Sequence, residues 1–255
     1  MEIKVHLISK SENPLLSMAF AAKLCYYKGK DIDTLYKNLA ADKREQERIV
    51  KHCIDHRHTS VLEHTMFMFG FEGVGRNFTH QLVRHRNTSY EQQSLHYIEA
   101  PSDFDMAKPN DASEDESRRM DAVKDYAFGI YKELIAEGMP KEEARHVLPS
   151  GIETKIVATA NLRQWMHFIN LRMCMVNCEE IRLAAIQIRQ HIINEIPMMR
   201  EYLGPNCYVH GVCIEGKRFC GVPLRVPLVL KEGRDIVTVI KDHEALKKYE
   251  EEKNK

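Results

Sequence analysis

The sequence predicts an α/β (α+β) protein in which long helices pack around a mostly antiparallel sheet. Short alternations of apolar and polar residues predict strands near residues 2–9, 64–72 and 93–99, and the second has phenylalanine at positions 67, 69 and 71. Longer segments with apolar residues at helical spacing lie between and after these strands. Short strands mixed with long helices are typical of the α+β class.

The helices are predicted from the spacing of apolar residues, and their ends from glycines and prolines. Gly29 ends the first helix, and Gly138 with Pro140 ends another before a new turn of helix begins at Lys141. In chain order the predicted helices cover residues 14–27, 32–56, 77–84, 119–138 and most of 154–196, the last with an extended start near 155–158. A further strand is predicted at residues 236–240.

The composition is that of a globular protein. Hydrophobic residues make up 44% and charged residues 29% of the 255 positions, which is far from the composition of disordered chains. The length fits a single domain over residues 1–255. Within it, the acidic, proline-interrupted segment 101–118 is predicted to be a flexible insertion, and residues 241–255 form a charged tail.

The charge balance and the cysteine count indicate which partners and which cellular compartment to expect. Positive and negative residues balance at 37 each, so no global field attracts nucleic acid or an anionic membrane. The first residues lack the apolar core of a secretory signal, and the sequence has no uninterrupted apolar run of about 18 residues. Seven cysteines, an odd number, indicate reduced thiols. We expect a cytoplasmic protein whose partners include neither nucleic acid nor a membrane.

Residues 73–90 form a basic island without a single acidic residue. Its guanidinium groups suit phosphate oxygens, and Gln81 and Arg84 are neighbours at i, i+3 if residues 77–85 are helical. The basic residues of the island are Arg76, His80, Arg84, His85 and Arg86. A solvated charged helix end gives the same pattern, and a short nucleic-acid contact is a third interpretation.

The residues that follow the island add a motif. Arg84-His85-Arg86, seven further residues and then Ser94 resemble the RHR-x7-S signature of flavin-dependent thymidylate synthases. Other segments resemble the same family in the same order: Glu63-His64, Ala144-Arg145-x-x-Leu148-Pro149, Asn161-x-Arg163, His167-Phe168, Leu171-Arg172 and Glu180-Ile181-Arg182. The resemblance spans residues 63–182 and, more loosely, the whole chain.

Helix geometry gives partial support from the residues alone. If residues 161–179 form one helix, Arg172 lies within about 20° of the azimuth of Asn161, with Trp165 and Phe168 near the same line. Such a stripe suits a flat ring system with polar edges. A stripe that faces the core, with an arginine that reaches outward to solvent, fits the same spacing.

The resemblance implies the roles of individual residues. It implies that FAD is bound by His64, Arg84, His85, Arg86, Asn161 and His167. It implies that the nucleotide is bound by Gln81, Arg84, Gln92, Gln93, Ser94, His96, Arg145 and Arg172. Arg172 is the implied catalytic residue, because it would stabilise negative charge that develops on the uracil ring.

The resemblance also implies the reaction and the assembly. Family members reductively methylate dUMP to dTMP, with methylenetetrahydrofolate as the one-carbon donor and NADPH as the reductant of FAD. The reduced flavin supplies the hydride, and no protein nucleophile attacks the uracil. The implied assembly is a homotetramer with active sites at subunit interfaces.

Three positions depart from the family pattern. His96 stands where the family commonly has arginine, Gln92 where it often has an acidic residue, and Cys178 where it has glutamine. These departures leave open an alternative, FAD-dependent C5 methylation or hydroxymethylation of a different pyrimidine nucleotide. A non-catalytic nucleotide- or RNA-binding protein that uses the basic island is a third hypothesis.

The cysteines are not predicted to bind metal. Cys207, Cys213 and Cys220 are separated by five and six residues, unlike the C-x2–4-C pairs of structural zinc sites. We expect partly buried thiols in a glycine-rich segment and no metal. Cys174 and Cys178, at i, i+4, are predicted to be thiols of the core.

Overall fold

The computed structural model describes residues 2–96, 105–221, 235–241 and 244. The chain divides into two compact units. Unit 1 comprises residues Met1–Lys10 and Phe67–Ala160, and unit 2 comprises Ser11–Met66 and Asn161–Lys255. Since each unit contains two separate parts of the chain, neither is a continuous segment; the single domain over residues 1–255 stays a prediction.

The helices and strands are mixed along the chain. In order they are β1 (Lys4–Lys10), α1 (Pro14–Leu24), α2 (Ile32–Ala40), α3 (Lys43–Asp55), β2 (Met66–Gly75), α4 (Arg76–Leu82), β3 (Ser89–Gln92), α5 (Glu114–Ala136), α6 (Lys141–Ala144), β4 (Glu153–Asn161), α7 (Leu162–Arg172), α8 (Glu179–Glu195) and α9 (Asn206–His210). Short 3-10 turns occupy Thr59–His64, Arg145–Val147, Pro197–Glu201 and Gly216–Arg218. None of the described helices is both long enough and apolar enough to cross a membrane.

The sheet has four strands in the order β1-β2-β4-β3. β1 pairs antiparallel with β2, where Val5 faces Phe71, and β3 pairs antiparallel with β4. The phenylalanines of β2 are buried, as their alternation predicts. The predicted α+β class with a mostly antiparallel sheet is therefore confirmed.

The strand predicted at residues 93–99 is wrong in position, because the strand of this region ends at Gln92. Gln93 makes a last backbone bond to β4, donating its N–H to the Lys155 carbonyl over 2.9 Å. The chain then turns, and Leu95 is buried in a small core with Phe128 and Tyr131 of α5. Residues 97–99 of the prediction lie outside the described residues.

Two predicted helices are each divided by a polar side chain. The helix predicted over residues 32–56 breaks before Asp42, whose carboxylate accepts the Glu45 N–H and begins α3. The helix predicted over 161–179 ends at Arg172. The Asn177 side-chain amide donates to the Leu171 carbonyl in the last turn of α7 and to the Cys174 carbonyl in the turn that follows. The extended start predicted near 155–158 is confirmed as β4.

Two segments that were predicted to be a strand and an insertion are helical, and in each the helix begins at an acidic or capping residue. Residues 236–241 are helical, not a strand, because the Asp235 carboxylate accepts the Val237 N–H at the start of the helix. The predicted insertion 101–118 is helical from Glu114, where Ser113 and Glu116 form a capping box. Residues 101–104 lie outside the described residues, so the flexibility of the insertion stays a prediction. Of the charged tail 241–255, the structure describes residues 241 and 244.

Unit 2 contains a buried arginine that holds its C-terminal helix. The side chain of Arg189, in α8, is 1% exposed. It donates from Nη1 and Nη2 to the two carboxylate oxygens of Asp235, each over 3.1 Å, and from Nε to the Leu203 carbonyl over 2.7 Å. Arg200 donates to the same carboxylate over 2.8 Å. The helical residues 236–241 are thus attached to α8 by an ion pair as well as by packing.

Candidate functional site

In unit 1, the Arg84-His85-Arg86 motif forms the turn that follows α4. The Arg84 N–H reaches the Gln81 carbonyl over 3.4 Å, and the His85 N–H reaches that of Leu82 over 3.1 Å. The two arginines are exposed, whereas His85 is buried. The turn therefore presents two arginine side chains to solvent, while the histidine between them is buried.

Tyr90 of β3 holds this turn from the sheet. Its hydroxyl lies 2.7 Å from the Leu82 carbonyl oxygen and 2.9 Å from that of His85. Burial raises the pKa of Tyr90, so the hydroxyl keeps the proton that it donates. The motif is thus attached both to a helix end and to a strand, which fixes the positions from which its arginines extend.

The residues after β3 supply amide and hydroxyl groups. Gln92 donates from Nε2 to the Thr154 hydroxyl over 3.3 Å, and Ser94 Oγ accepts the His96 N–H over 3.2 Å. Among the described residues, the side-chain oxygen of Gln93 is buried and has no hydrogen-bond partner. A buried acceptor without a donor is costly, so it suits a ligand that brings an N–H or O–H group.

Arg76 is a candidate that the motif comparison did not assign. It begins α4, and its Nη2 lies 3.5 Å from the Gln93 carbonyl oxygen. Its Nε is buried without a hydrogen-bond partner among the described residues. Burial, and then the nearby guanidinium of Arg145, lower the pKa of Arg76. Two neighbouring guanidinium groups with an unused donor form an arrangement that suits a phosphate group.

One sequence signal pointed to Arg76. It belongs to the basic island, at the junction where β2 becomes α4. Arg145 comes from the 3-10 turn after α6, where its Nε donates to the Glu142 carbonyl over 2.9 Å. Sequence spacing alone does not reveal that the charges of two residues 69 positions apart (145 minus 76) interact.

In unit 2, the chain segments that carry His64 and Asn161 are hydrogen-bonded to each other. The Leu162 N–H donates to the Thr65 carbonyl over 2.8 Å, which joins the residues next to His64 and Asn161. Asn161 caps α7, since its Oδ1 accepts the Gln164 N–H over 2.9 Å. His64 is exposed. The two predicted flavin-binding residues therefore occupy adjoining positions at the start of α7.

Residues Asn161 to Arg172 do not form the single stripe on one helix that the sequence predicted. Asn161 is an N-cap with extended backbone, outside the helix whose geometry the prediction assumed. Trp165 and Phe168 are both buried with their rings at 5.7 Å, so this part of the stripe faces the core. His167 is exposed on another side of α7.

Arg172 is the last residue of α7 and is partly buried. Its Nη1 donates to Asn177 Oδ1 over 3.3 Å, so the turn before α8 orients the guanidinium. Burial lowers the pKa of Arg172, and the nearby Cys178 opposes that shift. Cys178 is exposed, so the prediction that it is a core thiol is wrong; Cys174 is partly buried.

The assigned residues are distributed over both units. Unit 1 contains Arg76, Gln81, Arg84, His85, Arg86, Gln92, Gln93, Ser94, His96 and Arg145, and unit 2 contains His64, Asn161, His167 and Arg172. The structure brings Arg76 to Arg145 within unit 1 and joins the segments of His64 and Asn161 within unit 2. The ligand that each residue binds stays a prediction.

The chain is similar in sequence to known proteins. Residues 6–198 match the family model described as "Thymidylate synthase complementing protein" (Thy1). A protein of Geobacter sulfurreducens named flavin-dependent thymidylate synthase is 36% identical over 233 residues, which cover 90% of this chain and 99% of that protein. Proteins with the same name from Clostridium tetani and Sulfolobus acidocaldarius are 34% and 37% identical, covering 87% and 82% of this chain and 94% and 79% of the relatives. The chain belongs to the Thy1 family.

Proposed function

We propose that this chain is a flavin-dependent thymidylate synthase that converts dUMP to dTMP. The one-carbon donor is methylenetetrahydrofolate, and NADPH reduces the bound FAD. The observation that carries the proposal is the Arg84-His85-Arg86 turn, held by Tyr90, in a chain whose relatives bear the name of this enzyme. The resemblance and the family membership agree with it.

The nucleotide is assigned to residues of unit 1. Arg76 and Arg145 bind the phosphate, because they are neighbouring cations and Arg76 retains an unused donor. The buried oxygen of Gln93 accepts a hydrogen bond from the sugar or base. The remaining proposed nucleotide ligands are Gln81, Arg84, Gln92, Ser94, His96 and Arg172.

FAD is assigned to Arg84, His85, Arg86, His64, Asn161 and His167. When bound and reduced, FAD supplies the hydride of the reaction. The donor set fits this cofactor, because cations and amide N–H groups stabilise a negatively charged reduced ring. Asn161 uses its oxygen to cap α7 and therefore keeps its amide N–H groups for a ligand.

Arg172 is assigned the catalytic role at the uracil ring. Its guanidinium is partly buried and is oriented by Asn177, so it is held in place before charge develops on the uracil carbonyl. No cysteine is assigned as a nucleophile. Hydride and one-carbon transfer need a cation at the carbonyl edge, and Arg172 keeps its charge at all physiological pH values.

A second candidate function rests on Gln92. Its amide donates to Thr154, where the family often has a carboxylate, so the side chain meets the substrate without a negative charge. This favours a different pyrimidine nucleotide as an alternative substrate, methylated or hydroxymethylated at C5. A non-catalytic nucleotide- or RNA-binding protein is the third candidate, and a bound, reducible flavin would exclude it.

The assembly proposed is a homotetramer with active sites at subunit interfaces, in which the whole chain acts as one domain. The compartment proposed is the cytoplasm, because seven free thiols fit a reducing environment. The partners proposed are the nucleotide, the folate and further copies of the chain. Neither nucleic acid nor a membrane is proposed as a partner.

The test combines an absorbance spectrum with a pair of arginine variants. Purified protein should show flavin absorbance that bleaches with NADPH, and should form dTMP from dUMP and methylenetetrahydrofolate. Arg172→Ala should retain flavin and lose roughly 100-fold or more in kcat. Arg119→Ala, which removes an exposed ion pair with Asp115 within α5, should stay near wild type. If the wild-type protein binds flavin but forms no dTMP, dUMP is not the substrate. If Arg172→Ala loses its flavin while the control variant keeps it, the catalytic role assigned to Arg172 is contradicted.

A further inference from the structure

Asn177, in the turn between α7 and α8, is held by several hydrogen bonds within unit 2. Its Nδ2 donates to the Leu171 carbonyl over 2.9 Å and to the Cys174 carbonyl over 3.1 Å. Its backbone N–H also donates to the Cys174 carbonyl, over 3.0 Å. Because both donors of the amide group are directed to carbonyl oxygens, the amide oxygen is left to accept, and it accepts Arg172 Nη1 over 3.3 Å. The turn therefore fixes the position of an acceptor that holds the Arg172 guanidinium.

Arg182, in the first turn of α8, holds the same residue from the backbone. Its side chain is 9% exposed, and its Nη1 donates to the backbone carbonyl of Asn177 over 2.9 Å. Its own backbone N–H donates to the Cys178 carbonyl over 3.3 Å. Asn177 thus binds one arginine through its backbone carbonyl and another through its side-chain oxygen. A displacement of Arg182 therefore displaces the acceptor of Arg172.

Glu244 supplies the carboxylate that pairs with this buried arginine. Its Oε1 accepts Arg182 Nη2 over 2.6 Å, and its side chain is 37% exposed. A buried guanidinium is costly without an anionic partner, so the ion pair stabilises the position from which Arg182 reaches Asn177. The planar fork of the guanidinium lets one side chain bind the carbonyl through Nη1 and the carboxylate through Nη2.

Glu244 lies beyond the part of the chain that the family comparison covers. The match to the Thy1 family model ends at residue 198. The sequence alone predicted only a charged tail over residues 241–255. The structure joins one residue of that tail to the turn that follows α7. This contact is therefore a feature of the chain that neither the motif nor the family match assigns.

We propose that Glu244 and Arg182 are positioning residues for Arg172, and that they act through Asn177. The proposal rests on the catalytic role assigned to Arg172 under the proposed function. Glu244 orders Arg182, Arg182 fixes the Asn177 carbonyl, and the Asn177 amide oxygen holds the guanidinium of Arg172. A cation that is already in place stabilises developing charge on the uracil carbonyl better than one that must first be ordered.

The first experiment compares kcat with KM in Glu244→Gln, which keeps a hydrogen-bond acceptor and removes the charge. We expect kcat to fall roughly 5-fold to 20-fold, because a misplaced catalytic group costs rate. The KM for dUMP should change by less than about threefold, since the phosphate is assigned to Arg76 and Arg145. Glu201→Gln, which removes an exposed ion pair with Lys51 in the same unit, is the matched control and should behave as wild type.

A double-mutant cycle tests whether Glu244 acts through Asn177. Asn177→Ala removes the side-chain acceptor of Arg172 and should by itself lower kcat roughly tenfold. In the Asn177→Ala background, Glu244→Gln should lower kcat by less than about twofold more, because the connection to Arg172 is already broken. If Glu244 contributed only general stability, the two effects on kcat would multiply.

Hydrogen exchange gives a second measurement that does not depend on turnover. The backbone N–H groups of Asn177 and Arg182 both donate within this part of the chain. In ligand-free Glu244→Gln, residues 174–182 should therefore exchange roughly threefold faster or more than in wild type. Arg182→Lys keeps a charge but loses the fork, and should match Glu244→Gln in exchange and in kcat. If Arg182→Lys does not fold, as judged by circular dichroism, Glu244→Gln decides, because it changes a partly exposed side chain.

Three results would overturn the positioning role. They are a wild-type kcat in Glu244→Gln, a fall in kcat that is equally large with and without Asn177, and unchanged hydrogen exchange of residues 174–182. Arg172→Ala separates this inference from the proposed function. If Arg172→Ala keeps its kcat, the catalytic assignment itself fails; if it loses activity while Glu244→Gln does not, only the positioning role fails.

Discussion

The hydroxyl of Tyr90 lies 2.9 Å from the backbone carbonyl of His85, at the centre of the Arg84-His85-Arg86 turn. The same hydroxyl lies 2.7 Å from the Leu82 carbonyl, so one strand residue serves two acceptors at the end of α4. Both arginines of the motif extend from the backbone that this contact fixes. The contact therefore connects the stability of the sheet with the geometry proposed for flavin and nucleotide binding.

Tyr90→Phe should destabilise the protein and weaken FAD binding. The change removes the donor and leaves two carbonyl oxygens without it, at a cost of about 1–3 kcal/mol in the free energy of unfolding. Urea denaturation and flavin titration measure the two effects. Tyr26→Phe, at a side chain that is 80% exposed, is the control and should change neither. An unchanged urea midpoint in Tyr90→Phe would show that the hydroxyl contributes nothing to stability.

The same contact predicts an alkaline pH dependence. Burial raises the pKa of Tyr90 above its usual value of 10.0. The folded state therefore binds the proton more tightly, and its stabilising contribution is complete below pH 10 and is lost as the pH rises through the folded-state pKa. The difference in unfolding free energy between wild type and Tyr90→Phe should shrink above pH 10. A difference that stays constant into strong alkali would contradict this assignment.

Arg76→Lys should raise the KM for dUMP while FAD stays bound. Lysine keeps the positive charge but loses the fork and the Nε donor, and the loss of one or two charge-assisted hydrogen bonds corresponds to about 10-fold to 100-fold in affinity. Steady-state kinetics and flavin absorbance give the two measurements. Arg119→Lys, an exposed arginine of α5 in the same unit, should behave as wild type. If the variant loses its flavin and the KM for dUMP is unchanged, Arg76 binds the cofactor and not the nucleotide.

His96→Arg should lower the KM for dUMP by roughly tenfold or less, because it supplies the cation that the family commonly has at this position. Guanidinium is always charged and offers a rigid fork of N–H donors that matches a phosphate. His146→Arg, another exposed histidine of unit 1, is the control. A weaker affinity for dUMP in His96→Arg would favour the alternative pyrimidine substrate.

Asp235→Asn should destabilise unit 2 by about 3–5 kcal/mol at neutral pH, because it leaves the buried Arg189 without its carboxylate. Burial by itself would raise the pKa of Asp235, but the Val237 N–H and Arg189 lower it below 3.8. The carboxylate therefore stabilises the fold above pH 3.8, and this contribution is lost as the pH falls through the folded-state pKa. Chemical denaturation should show that the difference in unfolding free energy between Asp235→Asn and wild type decreases below pH 3.8. Asp111→Asn, at an exposed position, is the control, and an equal loss there would contradict the role of the ion pair.

Local signals in the sequence were sufficient for much of the fold and for the motif. The alternating phenylalanines predicted β2 because side chains of a strand alternate between its two faces. The spacing from Arg84 to Ser94 identified the family because a motif is contained in a short, continuous segment. Helix boundaries were less accurate, since single side chains such as those of Asp42 and Asn177 compete for backbone groups and end or begin helices.

The sequence by itself determined the class of fold, the family and the polar residues available for a flavin and a nucleotide. The tertiary structure alone decided which distant residues meet. It placed Arg145 where its charge acts on Arg76, joined Asp235 to Arg189 in an ion pair, and brought Cys174 to the cavity that three later cysteines also line. Periodicity and spacing report contacts within one element, whereas these contacts depend on how separate elements pack, which no short segment of the sequence records.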